Sequence, residues 1–221
     1  MSRAGLSEFR DRRHAGQVLG EQVAEQDLSN PVVLGLARGG VPVAAEVAAA
    51  VAAPLRVTVA RKIGAPGQPE LALGAVPAEG PATYDPRLLR SFGLDESSVG
   101  EECDRERAEA RRREQQYGQG PAVPLAGRDV VLVDDGLATG ATARAAIRML
   151  REQTPASIAL AVPVGAPDAV EALEAEADVV LSVLRPAGFG AVGQFYRDFG
   201  ATDDAEITRI LQQRRNRPEE G

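Results

Sequence analysis

The chain has 221 residues, enough to bury the core of one α/β domain with an elaboration. Hydrophobic residues make up 44% of the sequence but aromatic residues only 4%, so we expect a core of Ala, Val, Leu and Ile, as in a parallel sheet covered by helices. The net charge of -7 at pH 7 repels polyanions at long range, which excludes nucleic acid as an expected partner.

Further features of the sequence restrict the class of protein. Cys103 is the single cysteine and His14 the single histidine, so we expect neither a disulfide framework nor a zinc cluster built from these ligands. The N-terminal residues lack the apolar stretch of a signal peptide, and no window approaches the length of a membrane span. We therefore expect a cytoplasmic protein with no membrane partner.

The first part of the chain predicts a helix, a strand and a second helix. Asp11 can cap the first helix, in which Ala15, Val18, Leu19 and Val23 recur at helical spacing. The run VVLGL has the length of a buried strand. The run VPVAAEVAAAVAA, which follows a Gly-Gly turn, predicts a helix with Pro in its first turn.

The next part predicts two strands on either side of a loop, and then a charged helix. Leu55 to Ala60 is typical of a buried strand, and Leu71 to Val76 of another. Between them, RKIGAPGQPE contains two glycines and two prolines, which predicts a mobile loop. Asp95 to Tyr117 is highly charged, with opposite charges at i,i+4 spacing, and predicts a solvated, inserted helix.

Strands and helices alternate in the second half of the chain. After a Gly/Pro-rich connector at Gly118 to Gly127, the apolar strand Val130 to Val133 leads into a helix with an apolar face and an arginine face. The runs SIALAVPV, PDAVEALEAEA and DVVLSVL follow as strand, helix and strand. This alternation predicts an α/β fold with a doubly wound, mainly parallel sheet.

We predict one domain over residues 1–221. Its core spans 31–184, the charged helix at 95–117 is inserted into it, and residues 185–221 form a small C-terminal hood and a last helix.

The run VVLVDDGLATGAT carries the strongest functional pattern. Its four apolar residues place Asp134 and Asp135 at the carboxyl end of a central strand, where open α/β sheets bind ligands. Two adjacent carboxylates there can face a sugar diol or a magnesium ion.

A turn of small residues follows the two acids and runs into a helix. In this turn, backbone amides and two hydroxyls converge as they do in a phosphate cradle. The turn consists of Ala138, Thr139, Gly140, Ala141 and Thr142. The spacing from the two acids to the cradle suits a ribose 5-phosphate.

This run resembles the signature of the type I phosphoribosyltransferase family, which is an apolar strand, two acids and a Thr/Gly-rich loop. The resemblance covers roughly residues 31–184 and implies the fold of that family. It also implies that Asp134 and Asp135 hold the ribose hydroxyls of phosphoribosyl pyrophosphate (PRPP), that Ala138 to Thr142 hold its 5-phosphate, and that magnesium is the cofactor.

A second element, GLARGG, follows the first predicted strand. Arg38, Gly39 and Gly40 can place a cation and backbone amides against a diphosphate. Alone, a Gly-Gly turn before a helix is usually only a turn. In the family that the chain resembles, the pyrophosphate loop lies at this place.

A third element is the pair Arg61 and Lys62. It resembles the Arg-Lys pair near the start of the mobile loop in orotate-type members, which implies a catalytic role at the diphosphate. Two ordinary cations at the end of a strand are an alternative, although Lys62 is the only lysine among the 25 basic residues.

Two features concern the molecule that would accept the phosphoribosyl group. Hypoxanthine-guanine members carry an Asp at the position of Ala138, so the sequence resembles adenine-type members here. The hood offers Phe189 and Phe195, on which a flat base can stack, although a small satellite core explains these residues equally well.

The resemblance implies a PRPP-dependent transferase, a pentosyltransferase among the glycosyltransferases. It would pass the phosphoribosyl group to a nucleobase-like or other nitrogen acceptor. A non-catalytic module that senses PRPP or a nucleotide is the alternative on the same fold. The acceptor would be a small molecule, and the sequence leaves open whether two copies form a homodimer.

Overall fold

The computed structural model describes residues 6–117 and 123–215. Residues 118–122 of the predicted connector lie outside the described residues, as do the first five and the last six of the chain. The strands are β1 (Val32–Leu36), β2 (Leu55–Thr58), β3 (Ala60–Ala65), β4 (Gln68–Pro77), β5 (Thr83–Tyr84), β6 (Asp129–Val133), β7 (Ser157–Val164) and β8 (Val179–Leu184). The helices are α1 (Arg12–Val23), α2 (Gly40–Ala50), α3 (Pro86–Ser91), α4 (Gly100–Gln116), α5 (Ala141–Arg151), α6 (Pro167–Glu174) and α7 (Asp204–Arg215), with short 3-10 turns at Ser97–Val99 and Val192–Phe195.

The central sheet has five parallel strands in the order β2-β1-β6-β7-β8. Helices cover both of its faces, because successive residues of a buried strand point to opposite sides and each side is apolar. Val33, Val131 and Val133 pack under α1 and α2, whereas Leu34, Val130 and Leu132 pack under α5 and α6. The predicted doubly wound α/β fold is confirmed.

A second, antiparallel sheet of three strands, β3-β4-β5, lies outside the central one. The prediction that RKIGAPGQPE is a mobile loop is wrong in its secondary structure, because this run forms the turn of the β3-β4 hairpin and the strand residues on either side of it. Pro66 and Gly67 make its turn, with Gly67 in the left-handed region at φ 76, and the register shifts next to Gly64. Gly and Pro here mark a tight turn and a bulge rather than a long loop.

The predicted strand Leu55 to Ala60 is divided between the two sheets. β2 ends at Thr58, and Ala60 already belongs to β3. Periodicity did not indicate this break, since every residue from Val57 to Ala60 is buried.

The predicted charged helix is confirmed as α4, which begins at Gly100 and not at Asp95. Its charges are not all solvated. Glu106 pairs with Arg61 of β3 at 2.7 Å, and Glu114 accepts the backbone N–H of Val59 at 2.9 Å. Arg107 and Arg111 donate to backbone carbonyls at 77–80. The charges therefore fasten α4 to the outer sheet.

The C-terminal helix α7 packs against the end of α4. Tyr117, fully buried, donates from its hydroxyl to Asp204 Oδ1 of α7 at 2.9 Å. Ile207 and Leu211 of α7 pack beside it. Within the parts of the chain that the structure describes, no helix combines the length and apolarity needed to cross a membrane.

We predict that Gly16→Ala destabilises the protein. A Cβ at Gly16 would lie 2.6 Å from the carbonyl oxygen of Val43 in α2, so α1 and α2 would have to separate. Overpacking of this kind costs roughly 1–3 kcal/mol of unfolding free energy, measurable by urea denaturation.

Gly100→Ala is the matched control. Gly100 is the first residue of α4, and a Cβ there meets nothing within 4 Å. Since Ala favours helix over Gly, Gly100→Ala should be neutral or mildly stabilising. Equal stability of the two variants would contradict the close approach of α1 and α2.

Candidate functional site

The loops after β1 and β6 meet at the carboxyl edge of the central sheet. These strands are parallel neighbours, so Arg38, Gly39 and Gly40 emerge beside Asp134 and Asp135. A Cβ on Gly39 would overlap the Asp135 carboxylate, and one on Gly40 would lie 2.5 Å from the carbonyl oxygen of Val133. The sequence therefore needs both glycines to bring the two loops into contact.

Asp134 is half-buried, which disfavours the charged form of its carboxyl group. Its Oδ1 accepts the backbone N–H of Asp135 at 2.9 Å. Burial raises the pKa of Asp134 well above its usual range, and the neighbouring charge of Asp135 raises it further. The site is thus poorly compensated in the absence of a ligand.

Asp135 is also largely buried, and a neighbouring arginine stabilises its charged form. Burial raises the pKa of Asp135, and the Arg12 guanidinium beside it opposes that shift. Arg12 places Nε and Nη2 each 2.8 Å from Asp135 Oδ2. The side chains of Arg12 and Asp135 are 13% and 15% exposed, so the ion pair is largely removed from water.

Arg12 also contacts the C-terminal segment. Its Nη1 donates to the carbonyl oxygen of Gly200 at 2.6 Å, and its guanidinium lies 4.0 Å above the Phe199 ring. Sequence reasoning missed Arg12. In a chain whose basic residues are nearly all arginine, its position after the capping Asp11 gave no functional signal.

Tyr196 holds the backbone of Asp135. Its hydroxyl donates to the Asp135 carbonyl oxygen at 2.6 Å, and burial keeps the pKa of this phenol above its usual range, so it stays a donor. The backbone around Tyr196 pairs with the N-terminal segment. Phe9 N–H donates to Phe195 at 2.7 Å, and Arg197 N–H donates to Phe9 at 2.9 Å. The N-terminal segment and the predicted hood thus form one cap over Asp135.

The turn at 138–142, where a phosphate cradle is predicted, leads into the start of α5. Gly140, at φ 75, caps the helix without a side-chain hydrogen bond, and a Cβ there would be 2.8 Å from Leu173 of α6. Ala138 and Thr139 are exposed, and the next amides belong to the first turn, whose N–H groups have no partner within the helix. Ala141 N–H donates to Thr139 Oγ1 over a long distance, 3.5 Å, so this bond is weak. An anion fits this turn.

The cationic pair does not join the two acids in this conformation. Arg61 Nε is 2.7 Å from Glu106 Oε2, and Lys62, the next residue of the strand, is exposed on the opposite face of β3. Their catalytic role stays a prediction.

Phe189 and Phe195 stack on each other, with ring centroids 5.6 Å apart, beside the cluster that contains Phe9 and Tyr196. This packing matches the satellite-core alternative, and base stacking on either ring stays a prediction. The aromatic residue tied to the acids through Arg12 is Phe199, which is 37% exposed.

The two acids fit a divalent cation that takes its other ligands from substrate or water. Among the described residues, no group of three or more His, Cys, Asp or Glu side chains could hold a metal ion. Asp134 and Asp135 supply hard oxygen ligands, and their mutual repulsion would be relieved by a cation. Mg²⁺ is usually bound by one or two carboxylates together with phosphates and water.

Comparisons with known proteins point in one direction. A family model described as "Phosphoribosyl transferase domain" matches residues 13–199. The chain is 43% identical over 204 residues to the "Putative phosphoribosyl transferase" of Mycobacterium tuberculosis, in strains CDC 1551 and H37Rv, covering 92% of this chain but 46% of that protein. The chain therefore spans about half the length of these curated relatives.

Solved structures show the same likeness. The crystal structure of TT1426 from Thermus thermophilus is 46% identical, with a TM-score of 0.80, and the match covers 93% of this chain and 98% of that one. AQ2163 of Aquifex aeolicus is 14% identical, with a TM-score of 0.52, and the match covers 79% of this chain and 74% of AQ2163. This likeness shows the fold alone.

We predict that Asp134→Asn stabilises the protein without ligand at pH 7. The amide keeps an acceptor for the Asp135 N–H but removes the buried charge, and such relief commonly adds roughly 0.5–2 kcal/mol to the unfolding free energy. The folded-state pKa of Asp134 is raised, so Asp134 does not lower the unfolding free energy below its unfolded pKa of about 3.9. The loss of unfolding free energy grows as pH rises from there through the folded pKa. Denaturation curves at acid and neutral pH measure this gain.

Asp178→Asn serves as the control of opposite sign. Asp178 pairs with Arg151 at 2.8 Å, which lowers its pKa, so the loss of its charge should leave stability unchanged or lower. An Asp134→Asn variant less stable than the parent protein at pH 7 would contradict the proposed strain between the two acids.

Proposed function

This chain belongs to the phosphoribosyl transferase domain family, and from that premise we propose that it uses PRPP and magnesium to transfer the phosphoribosyl group to a nitrogen acceptor, with release of pyrophosphate. The acceptor is nucleobase-like or another small nitrogen compound. One observation carries the proposal. A single strand-turn-helix unit presents Asp134 and Asp135, and then the N-terminus of α5, at the carboxyl edge of the sheet, where open α/β sheets bind ligands.

The ribose 5-phosphate part of PRPP matches this unit. The carboxylates of Asp134 and Asp135 accept hydrogen bonds from the ribose hydroxyls, and the amides from Ala138 to Thr142 donate to the 5-phosphate. The hydroxyls of Thr139 and Thr142 add donors. These contacts fix the sugar, so that carbon 1 faces the acceptor in one orientation.

The diphosphate part matches the loop after β1. The backbone at Gly39 and Gly40 touches the acid pair, and Arg38, exposed at the rim, supplies a cation. In the reaction the bond from carbon 1 to the diphosphate oxygen breaks, the diphosphate keeps the electron pair, and the acceptor nitrogen bonds to carbon 1 and releases its proton to water. Positive groups placed there stabilise the charge that develops on the leaving diphosphate.

The chemistry that magnesium would supply at this site is positive charge that stabilises the leaving diphosphate. Asp134 and Asp135 are the residues that would hold it. Their burial and mutual repulsion give the site a reason to take up a cation.

A PRPP- or nucleotide-sensing module is the second candidate, and Ala138 is the observation in its favour. Ala138 is exposed in the turn after the acids and offers no group to take a proton from the acceptor. A transferase would therefore rely on an acceptor whose nitrogen is nucleophilic without such help. Release of pyrophosphate across a panel of nucleobases, starting with adenine, distinguishes a transferase from a sensor.

We expect PRPP to bind in a magnesium-dependent manner and to stabilise the fold. PRPP at 100 times its Kd should add about 2.7 kcal/mol to the unfolding free energy, seen as a rise in Tm. Asp135→Asn and Thr142→Val should each weaken binding measured by calorimetry, because each removes a hydrogen-bonding group from the ribose or phosphate site.

Thr208→Val is the control for Thr142→Val. Thr208 is also a half-buried helical threonine, on α7, and its hydroxyl donates to Asp204. The Thr208→Val substitution should leave PRPP affinity unchanged. Absence of any PRPP-dependent rise in Tm with magnesium present would refute the proposed function.

The β3-β4 hairpin carries a prediction about catalysis. We expect Lys62→Ala to reduce the turnover number more than it weakens PRPP binding, and the double change with Arg61→Ala to be worse than either single change. A cation brought to the diphosphate as its charge grows stabilises the transition state more than the ground state. Pyrophosphate release at saturating substrate, alongside calorimetric affinity, measures the difference.

Arg90→Ala, an exposed cation of α3, is the matched control and should change neither quantity. Turnover by Lys62→Ala equal to that of the parent protein would show that Lys62 is an ordinary solvated charge.

A further inference from the structure

The guanidinium of Arg12 connects three parts of the chain at one point. It extends from the first residue of α1, binds the carboxylate of Asp135 after β6, and contacts both Phe199 and Gly200 in the C-terminal segment. Asp11, whose side chain accepts the His14 N–H at 2.7 Å, fixes the start of α1 and with it the backbone of Arg12.

The neighbouring Arg13 shows what an ordinary surface pair looks like in the same helix. Arg13 is 75% exposed and pairs with Glu46 of α2 at 3.1 Å. Exposed pairs of this type contribute little. The Arg12 side chain is only 13% exposed, so the loss of Arg12 would leave the Asp135 carboxylate without a counter-charge in a poorly hydrated place.

The geometry of the pair orients Asp135. Both Arg12 donors converge on Oδ2, and the backbone of Gly39 lies against the same carboxylate. A carboxylate has about four acceptor sites, two on each oxygen, so Oδ1 stays available to a ribose hydroxyl. Arg12 thus determines how Asp135 faces a ligand, and Arg12 can keep its own contacts with Asp135 when the ligand binds.

The same contacts position the C-terminal segment. Phe199 lies beneath the guanidinium, Gly200 accepts from it, and Tyr196 binds the Asp135 backbone. A change in the Asp135 carboxylate therefore reaches residues 196–200 through one side chain. Guanidinium planes are suited to this double use, since they donate along the edge and stack on the face.

We propose that Arg12 is a positioning residue for PRPP, which orients Asp135 toward the ribose and transmits ribose binding to the segment 196–200. The inference rests on the proposed function. It adds a residue of the N-terminal helix to the site, and it adds a coupling between Asp135, which would bind the ribose, and the segment 196–200. When the ribose hydroxyls bind Asp135, residues 196–200 become more ordered.

The test compares Arg12→Gln, Arg12→Lys and the control Arg13→Gln, with PRPP and magnesium as the only probes. Calorimetry should show an affinity loss of about tenfold for Arg12→Gln, the order of one lost charge-assisted hydrogen bond. Arg12→Lys should recover most of that loss, since it restores the counter-charge. Arg13→Gln should match the parent protein.

Hydrogen exchange of the segment 195–202 provides the readout that a purely structural role would not change. In the parent protein and in Arg13→Gln, saturating PRPP should slow exchange of amides such as Arg197 and Asp198, which donate to the N-terminal segment. In Arg12→Gln this ligand-dependent slowing should disappear, although PRPP is saturating. Arg12→Lys should also lack it, because an ammonium cannot both lie flat on Phe199 and donate to Gly200.

Each outcome has a distinct meaning. Parent-like affinity together with parent-like slowing in Arg12→Gln would overturn this inference while leaving the proposed function intact. A lower Tm for Arg12→Gln with both PRPP readouts unchanged would also overturn it, because the role would then be structural only. If the parent protein binds no PRPP, the proposed function fails and this inference fails with it.

Discussion

Two adjacent carboxylates at the end of a buried strand are the constraint on which the rest of the structure depends. Burial raises the pKa values of Asp134 and Asp135, and the charge of Asp135 raises the pKa of Asp134 further, so the protein has to compensate these carboxyl groups or leave them for a ligand. Arg12 compensates Asp135. Asp134 has one backbone N–H and a remote contribution from Arg12, and this incomplete compensation is what a sugar diol and a cation can relieve.

The same constraint explains the packing around the site. Gly39 and Gly40 have no side chains because the acids and the end of β6 occupy that space. The two ends of the chain meet there because Arg12, from the N-terminal helix, and Tyr196, from the C-terminal segment, both bind Asp135. A site that costs stability in the free protein is thereby held by contacts that are remote in sequence.

The sequence predicted the central sheet and the position of both candidate loops at strand ends for physical reasons. The runs VVLGL and VVLV are uniformly apolar, which indicates strands buried on both faces, and parallel neighbours necessarily end at the same edge. Asp134, Asp135 and the turn to Thr142 are contiguous, so their arrangement is local. Family comparison, at 43–46% identity, confirms the resemblance that this stretch carried.

Other features could not be predicted, because they depend on contacts distant in sequence. Arg12 and Asp135 are 123 residues apart, and nothing in the helix around Arg12 distinguishes it from Arg13. The β3-β4 hairpin was mistaken for a loop because Gly and Pro suit a tight turn as well as a long connection. The charged helix was expected to face solvent, whereas Glu114 and Arg111 bind backbone groups next to the outer sheet, which no charge pattern specifies.

A crystal structure of the protein with PRPP and magnesium tests the central claim most directly. We expect ribose hydroxyls on the carboxylates of Asp134 and Asp135 and the 5-phosphate on the amides from Ala138 to Thr142. The claim would be contradicted by PRPP bound elsewhere, for example in the cavity of about 490 Å³ beside β2 that Arg56, Thr58 and Glu114 line, with the acid pair untouched.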